Sequence, residues 1–169
     1  SMGCRVVGLA GTDEKCKRLK DEFRFDECIN YKNVDLLKEI KMACPDGVDV
    51  YFDNVGGQIL ETVLFRMNMK GRIICCGAVS QYDGTTPIGP RNLPGLLIVK
   101  RLKMEGFIVM DYAKEHGNAI KHLSEMNAAG DIKVTEDISE GLESAPDALI
   151  GLLNGDNFGK RMVRVTADP

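Results

Sequence analysis

Short apolar runs alternate with amphipathic segments along most of the chain, and this alternation predicts an α/β protein. Six apolar runs have the length of buried strands, and we predict strands at residues 5–10, 28–31, 48–52, 72–76, 106–110 and 161–165. Helical spacing predicts helices at residues 13–23, around 36–40, and at 58–67, 115–129 and 146–155. Because parallel strands need long crossover connections, the pattern is typical of a doubly wound, mainly parallel sheet.

Residues 77–95 interrupt this alternation. The segment holds four glycines and three prolines and has no apolar periodicity. Loops of this length inside a compact domain are usually functional or disordered.

The segment 49–57 carries the most informative chemistry. Its apolar run ends in Asp53 and Asn54, and Gly56 and Gly57 then precede a helical pattern. Open α/β sheets bind ligands at the carboxyl ends of their strands. The Asn54 amide offers both a donor and an acceptor, which suits a ribose hydroxyl or a carboxamide. An ordinary strand-to-helix turn explains the spacing equally well.

Composition and charge narrow the classes of function. The 169 residues suit one domain, and the net charge of −3 without a basic block argues against a nucleic-acid partner. No apolar run approaches the roughly 20 residues that span a bilayer, and no signal peptide is recognisable. We expect a cytoplasmic protein that does not bind membranes.

The cysteines and histidines do not have the spacing of a metal site. The six cysteines include no C-x-x-C pair, and His116 and His122 stand six positions apart. Structural zinc sites normally use closely spaced ligand pairs. We therefore predict reduced cysteines without metal and assign no role to either histidine.

Four segments together resemble one known family. They are 30–32 (Asn-Tyr-Lys), 49–57, 76–82 (Cys-Gly-Ala-Val-Ser-Gln-Tyr) and 155–160 (Gly-Asp-Asn-Phe-Gly-Lys). In this order they resemble the zinc-free prostaglandin reductase (leukotriene B4 dehydrogenase) branch of the medium-chain dehydrogenase/reductases, over residues 3–165. The resemblance implies NADP(H) as cofactor and reduction of the C=C bond of a small α,β-unsaturated ketone or aldehyde, of the keto-prostaglandin or alkenal type.

The resemblance also implies how the 2′-phosphate of NADP is bound. Lys15 and Tyr31 match the family's lysine and tyrosine at that phosphate. Lys15 lies in the first turn of a predicted helix, where the helix dipole disfavours a cation by about 0.3–1 kcal/mol. A solvated lysine and a half-buried tyrosine are the alternative. The first predicted strand has no acid at its tip for a ribose 2′-hydroxyl, although Asp13 and Glu14 are near enough to weaken this argument.

Further residues match positions that line the family's cofactor. Tyr82 is the candidate catalytic residue, since its phenol could donate a hydrogen bond to the enone oxygen; a packed loop tyrosine is the alternative. Phe107, Ile108 and Val109 match a strand beside the nicotinamide, although an apolar triplet is usually core. Asn157 matches a cofactor contact, although its segment is also a good turn. The remaining candidates are Asn54, Cys76, Gly77, Ala78, Val79 and Ser80.

One expected element is not recognisable. A dinucleotide fold opens with a strand and a glycine-rich phosphate loop, whereas the first strand here ends in Gly-Leu-Ala-Gly-Thr-Asp and matches the family's second strand. The resemblance thus implies that residues 1–169 are a partial NADP-binding Rossmann domain without the amino-terminal catalytic domain. We expect such a chain to bind NADPH poorly, to be inactive alone and to form a dimer through its last strands.

Two other functions remain open at this point. The first is a quinone or curcumin-type reductase on the same fold. The second is a non-catalytic nucleotide-binding or assembly module. Titration of the chain with cofactor separates the catalytic class from the non-catalytic one.

Overall fold

The structure is a computed structural model that describes residues 3–82 and 89–166. Within these residues the strands are β1 (Val7–Ala10), β2 (Glu27–Asn30), β3 (Val48–Asp53), β4 (Met67–Cys75), β5 (Lys103–Gly106), β6 (Glu136–Glu140) and β7 (Lys160–Arg164). The helices are α1 (Asp13–Phe23), α2 (Leu36–Ala43), α3 (Gly57–Arg66), α4 (Leu93–Lys100), α5 (His116–Ala128) and α6 (Ala145–Asn154). No helix in the described part is long and apolar enough to cross a membrane.

The chain divides into two compact units. The first combines residues up to 30 with those from 118 onward, and it holds the strand pairs β1–β2 and β6–β7. The second covers the residues between 31 and 117, and its sheet has the order β3–β4–β5. Every one of these pairings is parallel. The prediction of a parallel α/β fold is therefore confirmed, with the described strands forming three separately paired sheets.

The core of the second unit is centred on α3. Its residues Leu60, Val63 and Leu64 are at most 6% exposed, and Ile73 on β4 is 1% exposed. The spacing places the three helix residues on one face, as an amphipathic helix requires. Burial of each such side chain contributes about 1.5–3 kcal/mol. This packing fixes α3, and with it the loop that precedes the helix.

The carboxyl end of α3 is held by a lysine from α4. The Lys100 ammonium donates to the carbonyls of Phe65 and Met67, both at 2.8 Å, and of Leu64 at 3.3 Å. Burial, together with the nearby Arg66, lowers the pKa of Lys100. Since the last carbonyls of a helix lack partners within it, Lys100 caps α3 and ties α4 to it.

The helix α4 was missed from the sequence. The predicted loop 77–95 contains a short 3₁₀ turn at Val79–Gln81, and its last residues begin α4. Pro94 lies in the first turn of that helix, where a missing N–H costs nothing. The run that follows is apolar without a clear face, so it shows no helical periodicity.

One strand prediction was wrong, and one strand was not predicted. The predicted strand 106–110 is instead β5 at Lys103–Gly106, and Val109–Tyr112 forms a 3₁₀ turn. Pairing with β4 ends at Gly106, so the apolar residues after it leave the sheet. β6 was overlooked because three of its five residues are acidic, and charged residues are rare in strands.

β4 begins earlier than predicted, at Met67 instead of residue 72. Its pairing with β3 shifts register between Val48 and Val50. Lys70, within β4, has a left-handed φ of 62°. An irregular start of this kind leaves no period-two pattern in the sequence.

Candidate functional site

Three parallel strands of the second unit end side by side. The last residues Asp53, Cys75 and Gly106 are neighbours in register across β3, β4 and β5. The residues that follow them, Asn54, Cys76 and Phe107, therefore leave the sheet at one edge. In open α/β sheets this edge is where ligands bind.

A buried carboxylate organises the turn after β3. Asp53 is 2% exposed, and its Oδ1 accepts hydrogen bonds from the Tyr51 hydroxyl (2.9 Å) and from the amides of Val55 (3.0 Å) and Gly56 (2.9 Å). Burial is the main cause that raises the pKa of Tyr51, and the charge of Asp53 and this hydrogen bond raise it further. The Tyr51 phenol thus remains protonated and donates its hydrogen bond. The Asp53 carboxylate stabilises the turn through charge-assisted hydrogen bonds to the backbone amides.

Backbone hydrogen bonds fasten the loop after β4 to this turn. The Cys76 amide donates to the Asp53 carbonyl at 2.8 Å, and the Val79 amide donates to the Asn54 carbonyl at 3.1 Å. Both the amide and the hydroxyl of Ser80 donate to the Val55 carbonyl. Ser80 therefore holds the loop after β4 against the turn after β3, and these two segments are called the loop pair below. Its predicted contact with a cofactor remains a prediction.

The two loops approach so closely that one position leaves little room for a side chain. A Cβ on Gly77 would lie 3.1 Å from the Asn54 carbonyl oxygen, closer than ordinary van der Waals contact. Gly56 has φ 69° and ψ −151°, a conformation essentially confined to glycine. The small residues here thus allow the two loops to pack together.

The outer surface of the loop pair is open. The Asn54 side chain is exposed and makes no hydrogen bond within the described residues. Val79 is 53% exposed, and Tyr82 is 70% exposed with its amide bonded to the Val79 carbonyl. An amide, small residues and a phenol are therefore presented along one rim. Residues 83–88, which belong to the predicted loop, lie outside the described residues.

The triplet Phe107–Val109 reaches the same edge, although it does not lie in a strand as predicted. The Phe107 amide donates to the Cys75 carbonyl at 3.3 Å, and its ring lies 6.2 Å from that of Phe52. Ile108 and Val109 are more than half exposed. Because Ile108 and Val109 are exposed beside the polar rim, they can contact the flat ring of a ligand. Side chains buried in the core could not make such a contact.

An open cleft of about 430 Å³ lies between α2 and α3 in the same unit. It shares Ser80 with the loop pair, and its mouth carries a 3.5 Å ion pair between Arg91 and Glu61. Asn54, Cys76 and Tyr82 do not line it. The cleft therefore adjoins the loop pair at Ser80 but is not lined by these three residues.

In the first unit, Lys15 has a partner that the sequence did not reveal. Its ammonium donates to the Gly155 carbonyl at 2.5 Å, at the carboxyl end of α6. That helix end carries partial negative charge, which favours a cation and offsets the unfavourable position of Lys15 on α1. Lys15 is half-buried, and its role at the 2′-phosphate remains a prediction.

The turn that carries Asn157 is tightly held. The Asn157 side-chain Nδ2 donates a hydrogen bond to the Gly159 carbonyl at 2.9 Å. The Arg18 guanidinium lies 3.4 Å from the centre of the Phe158 ring, and the Phe158 amide donates to Asp137. The turn is thus docked on α1, the helix that also carries Lys15.

The two predicted phosphate ligands belong to different compact units. Lys15 lies in the first unit, and Tyr31 opens the second with 37% of its surface exposed. In the first unit the Asp13 carboxylate accepts a hydrogen bond from the Asn30 side chain at 2.8 Å. Asp13 is thus engaged within the unit as well as being an acid of the first helical turn.

The sequence analysis named Asp53 without assigning it a role, and it did not single out Arg18. The signal for Asp53 was present, because an aspartate followed two and three residues later by free amides is the pattern of an Asx turn. Arg18 left no such signal, since its partner Phe158 lies 140 positions further along the chain.

No group of three histidine, cysteine, aspartate or glutamate side chains that could hold a metal occurs in the part of the chain that the structure describes. The prediction that the protein carries no zinc remains a prediction.

A family model described as zinc-binding dehydrogenase matches residues 1–125. Among curated proteins, the chain is 46% identical to a tobacco 2-alkenal reductase (NADP(+)-dependent), over 99% of this chain and 49% of that protein. It is 46% identical to rat prostaglandin reductase 1, over 96% of this chain and 50% of that protein. It is 40% identical to the NADPH-dependent curcumin reductase of Escherichia coli, over 98% of this chain and 50% of that protein.

A solved structure agrees with these relatives. CurA from Vibrio vulnificus, determined in complex with NADPH, superposes with a TM-score of 0.92 at 43% identity, over 98% of this chain and 51% of that one. The chain therefore spans about half the length of the proteins it matches.

Proposed function

Since this chain belongs to the zinc-binding dehydrogenase family, we propose that it forms the NADPH-binding part of a reductase that acts on the C=C bond of small α,β-unsaturated ketones or aldehydes. Within that enzyme, residues 1–169 constitute part of the nucleotide-binding domain. The relatives that carry this chemistry in their names are the alkenal and prostaglandin reductases.

One observation carries the proposal: the common edge at which β3, β4 and β5 end. Asn54, Cys76 and Phe107 leave the sheet there, followed by the small residues Gly77 and Ala78. A dinucleotide fits this chemistry, because it needs backbone close to a ribose and a donor–acceptor amide near its hydroxyls. The exposed side chain of Asn54 meets the second need.

The adenosine end of the cofactor is assigned to Lys15 and Tyr31. Lys15 already places a cation at the start of α1, with the Gly155 carbonyl as its partner. A phosphate dianion is a stronger acceptor than a carbonyl and would share or replace that hydrogen bond. The Asn157 turn, which holds Gly155, would then lie beside the same cofactor.

Tyr82 is the proposed catalytic residue. The cofactor, when bound, supplies the hydride for the β-carbon of the substrate. Tyr82 then donates a hydrogen bond to the carbonyl oxygen, on which negative charge develops. Its exposure of 70% leaves the phenol accessible to a substrate.

A quinone or curcumin-type reductase is the second candidate function, and the E. coli curcumin reductase supports it. Both candidates use the same cofactor edge and differ only in the acceptor. A non-catalytic nucleotide-binding module is the third.

Titration with NADPH and NADH, followed by rates with a 2-alkenal, a quinone and curcumin, tests these alternatives. The experiment uses the full natural protein to which the chain belongs. Binding of NADPH and faster reduction of the alkenal support the proposal. Binding without reduction of any acceptor would favour the non-catalytic module, and no binding would refute all three.

We also propose a cytoplasmic homodimer. β5 is an outer strand of its described sheet, and β7 pairs only with β6 among the described strands. Outer strands offer unpaired backbone groups to a second copy. Light scattering that gives the mass of one chain at micromolar concentration would contradict the dimer.

A further inference from the structure

Two cysteines of the first unit lie in direct contact. The Sγ atoms of Cys16 on α1 and Cys28 on β2 are 2.8 Å apart, and both thiols are free. A disulfide requires an S–S distance of about 2.05 Å, so less than about 1 Å of further approach separates the pair from a covalent bond. The sequence hides this pair because its members stand twelve positions apart on two different elements.

The elements that carry the two thiols are firmly placed. α1 packs on both β1 and β2, and Asp13 at its start accepts a hydrogen bond from Asn30 at the end of β2. Lys20 further along α1 forms a 3.0 Å ion pair with Glu27. The thiols are thus bracketed by polar contacts on both sides, which keep α1 and β2 at a fixed separation.

The geometry points to a dithiol site at which Cys16 and Cys28 form a reversible disulfide bond with each other. The oxidant is a low-molecular-weight disulfide such as oxidised glutathione, which acts by thiol–disulfide exchange. The thiolate of one cysteine attacks the small disulfide, forms a mixed disulfide and releases one small thiol. The second cysteine then attacks the protein sulfur of that mixed disulfide and releases the second small thiol. The two protein thiols are oxidised, lose two protons and form one S–S bond, while one small disulfide is reduced to two thiols.

The surroundings predict which cysteine reacts first and how fast. Cys16 is 8% exposed, whereas Cys28 is partly open to solvent, so Cys28 meets the oxidant first. Burial, followed by the hydrogen bond with Cys16, raises the pKa of the Cys28 thiol to about 12. Because the thiolate is the nucleophile, the reaction is slow near neutrality and accelerates with rising pH.

Peptide mapping tests the site directly. The 169-residue chain is equilibrated with a series of reduced and oxidised glutathione mixtures, then alkylated and digested with trypsin. Cleavage after Lys17 and Arg24 puts Cys16 and Cys28 on separate peptides. We expect a disulfide-linked peptide pair whose mass is about 2 Da below the sum of the two thiol peptides. This pair should disappear in the mixtures that contain mostly reduced glutathione.

The matched control is Cys4→Ser, since Cys4 is exposed and belongs to no pair. This variant should form the Cys16–Cys28 link at the same poise as the parent, whereas Cys28→Ser should form none. If both thiols remain free or carry only glutathione over the whole series, the proposal is overturned. The same holds if Cys16 or Cys28 links preferentially to another cysteine.

Thermal unfolding provides a second readout. A disulfide that fits the native distance constrains the unfolded chain and should raise the melting temperature by about 5 °C or more. The chain with the link formed is compared with the same sample after reduction. A lower melting temperature for the oxidised chain would show that the bond strains the fold, and it would refute a preformed site. Neither readout depends on the proposed reductase activity.

Discussion

Replacement of Asp53 by alanine should destabilise the second unit strongly. The change removes one oxygen that accepts three hydrogen bonds, from the Tyr51 hydroxyl and the amides of Val55 and Gly56. Each bond to a charged acceptor contributes about 1.5–3 kcal/mol, and its loss leaves a donor without a partner. Water can reach part of the turn, so we expect a total of about 3–5 kcal/mol instead of the full sum.

Asp53→Asn separates charge from shape. The amide keeps one oxygen that can accept from the same donors, so its cost should be about 1–2 kcal/mol. Urea unfolding followed by circular dichroism gives the free energy of unfolding for each variant. Typical domains have only about 5–15 kcal/mol in total, so the alanine variant should unfold at a clearly lower urea concentration.

Asp49 supplies the matched control. It lies on the same strand, is exposed, and accepts a hydrogen bond from Asn68 at 2.8 Å. Asp49→Ala should change the free energy of unfolding by about 0.5 kcal/mol or less. If Asp53→Ala costs no more than Asp49→Ala, the buried carboxylate does not organise the turn, and the reasoning fails.

Four other predictions concern the cofactor, the reaction, pH and metal. Lys15→Ala in the full enzyme should weaken NADPH by roughly ten- to a hundredfold and NADH far less, because only NADPH has the 2′-phosphate; equal losses would contradict the assignment. Tyr82→Phe should lower turnover by about a hundredfold or more with little change in NADPH affinity, and an unchanged turnover would make Tyr82 a packing residue. Hydrogen bonds from Arg18 and Lys133 lower the pKa of Glu22 from 4.5 to about 2. Since the folded pKa lies below the unfolded one, this stabilisation is complete above pH 4.5 and is lost as the pH falls toward 2. Between these pH values the free energy of unfolding should therefore fall less in Glu22→Gln than in the parent protein, as urea unfolding would measure. Elemental analysis should find no stoichiometric zinc, and a chelator should leave the circular dichroism spectrum unchanged.

The sequence was a good guide to elements whose pattern is local. α1 has its Thr12 cap, α6 ends at Gly155 with a left-handed φ of 75°, and the strand before Asn54 is present. It was a poor guide where strand pairing determines whether a segment forms a strand and where that strand ends. β6 has one apolar residue and is a strand because β7 lies beside it, and β5 ends where its register with β4 ends.

The candidate site divides along the same line. Asn54 was singled out from its own segment, because it follows a predicted strand and the carboxyl ends of parallel strands meet at one edge. Gly77 and Phe107 were named from the family resemblance, and Phe107 was expected inside a strand, whereas it directly follows β5. Which side chains hold that edge together could not be read in this way, as the hydrogen bonds of Ser80 to the Val55 carbonyl illustrate.

Chain order by itself determined that strands and helices alternate, and hence that the sheet is parallel and presents its polar residues at one edge. Only the tertiary structure decided the partners of individual groups: Gly155 for Lys15, Phe158 for Arg18, and Cys28 for Cys16. The physical reason is that periodicity and turn chemistry act over a few residues, whereas hydrogen bonds and ring contacts depend on distances that the whole unit sets.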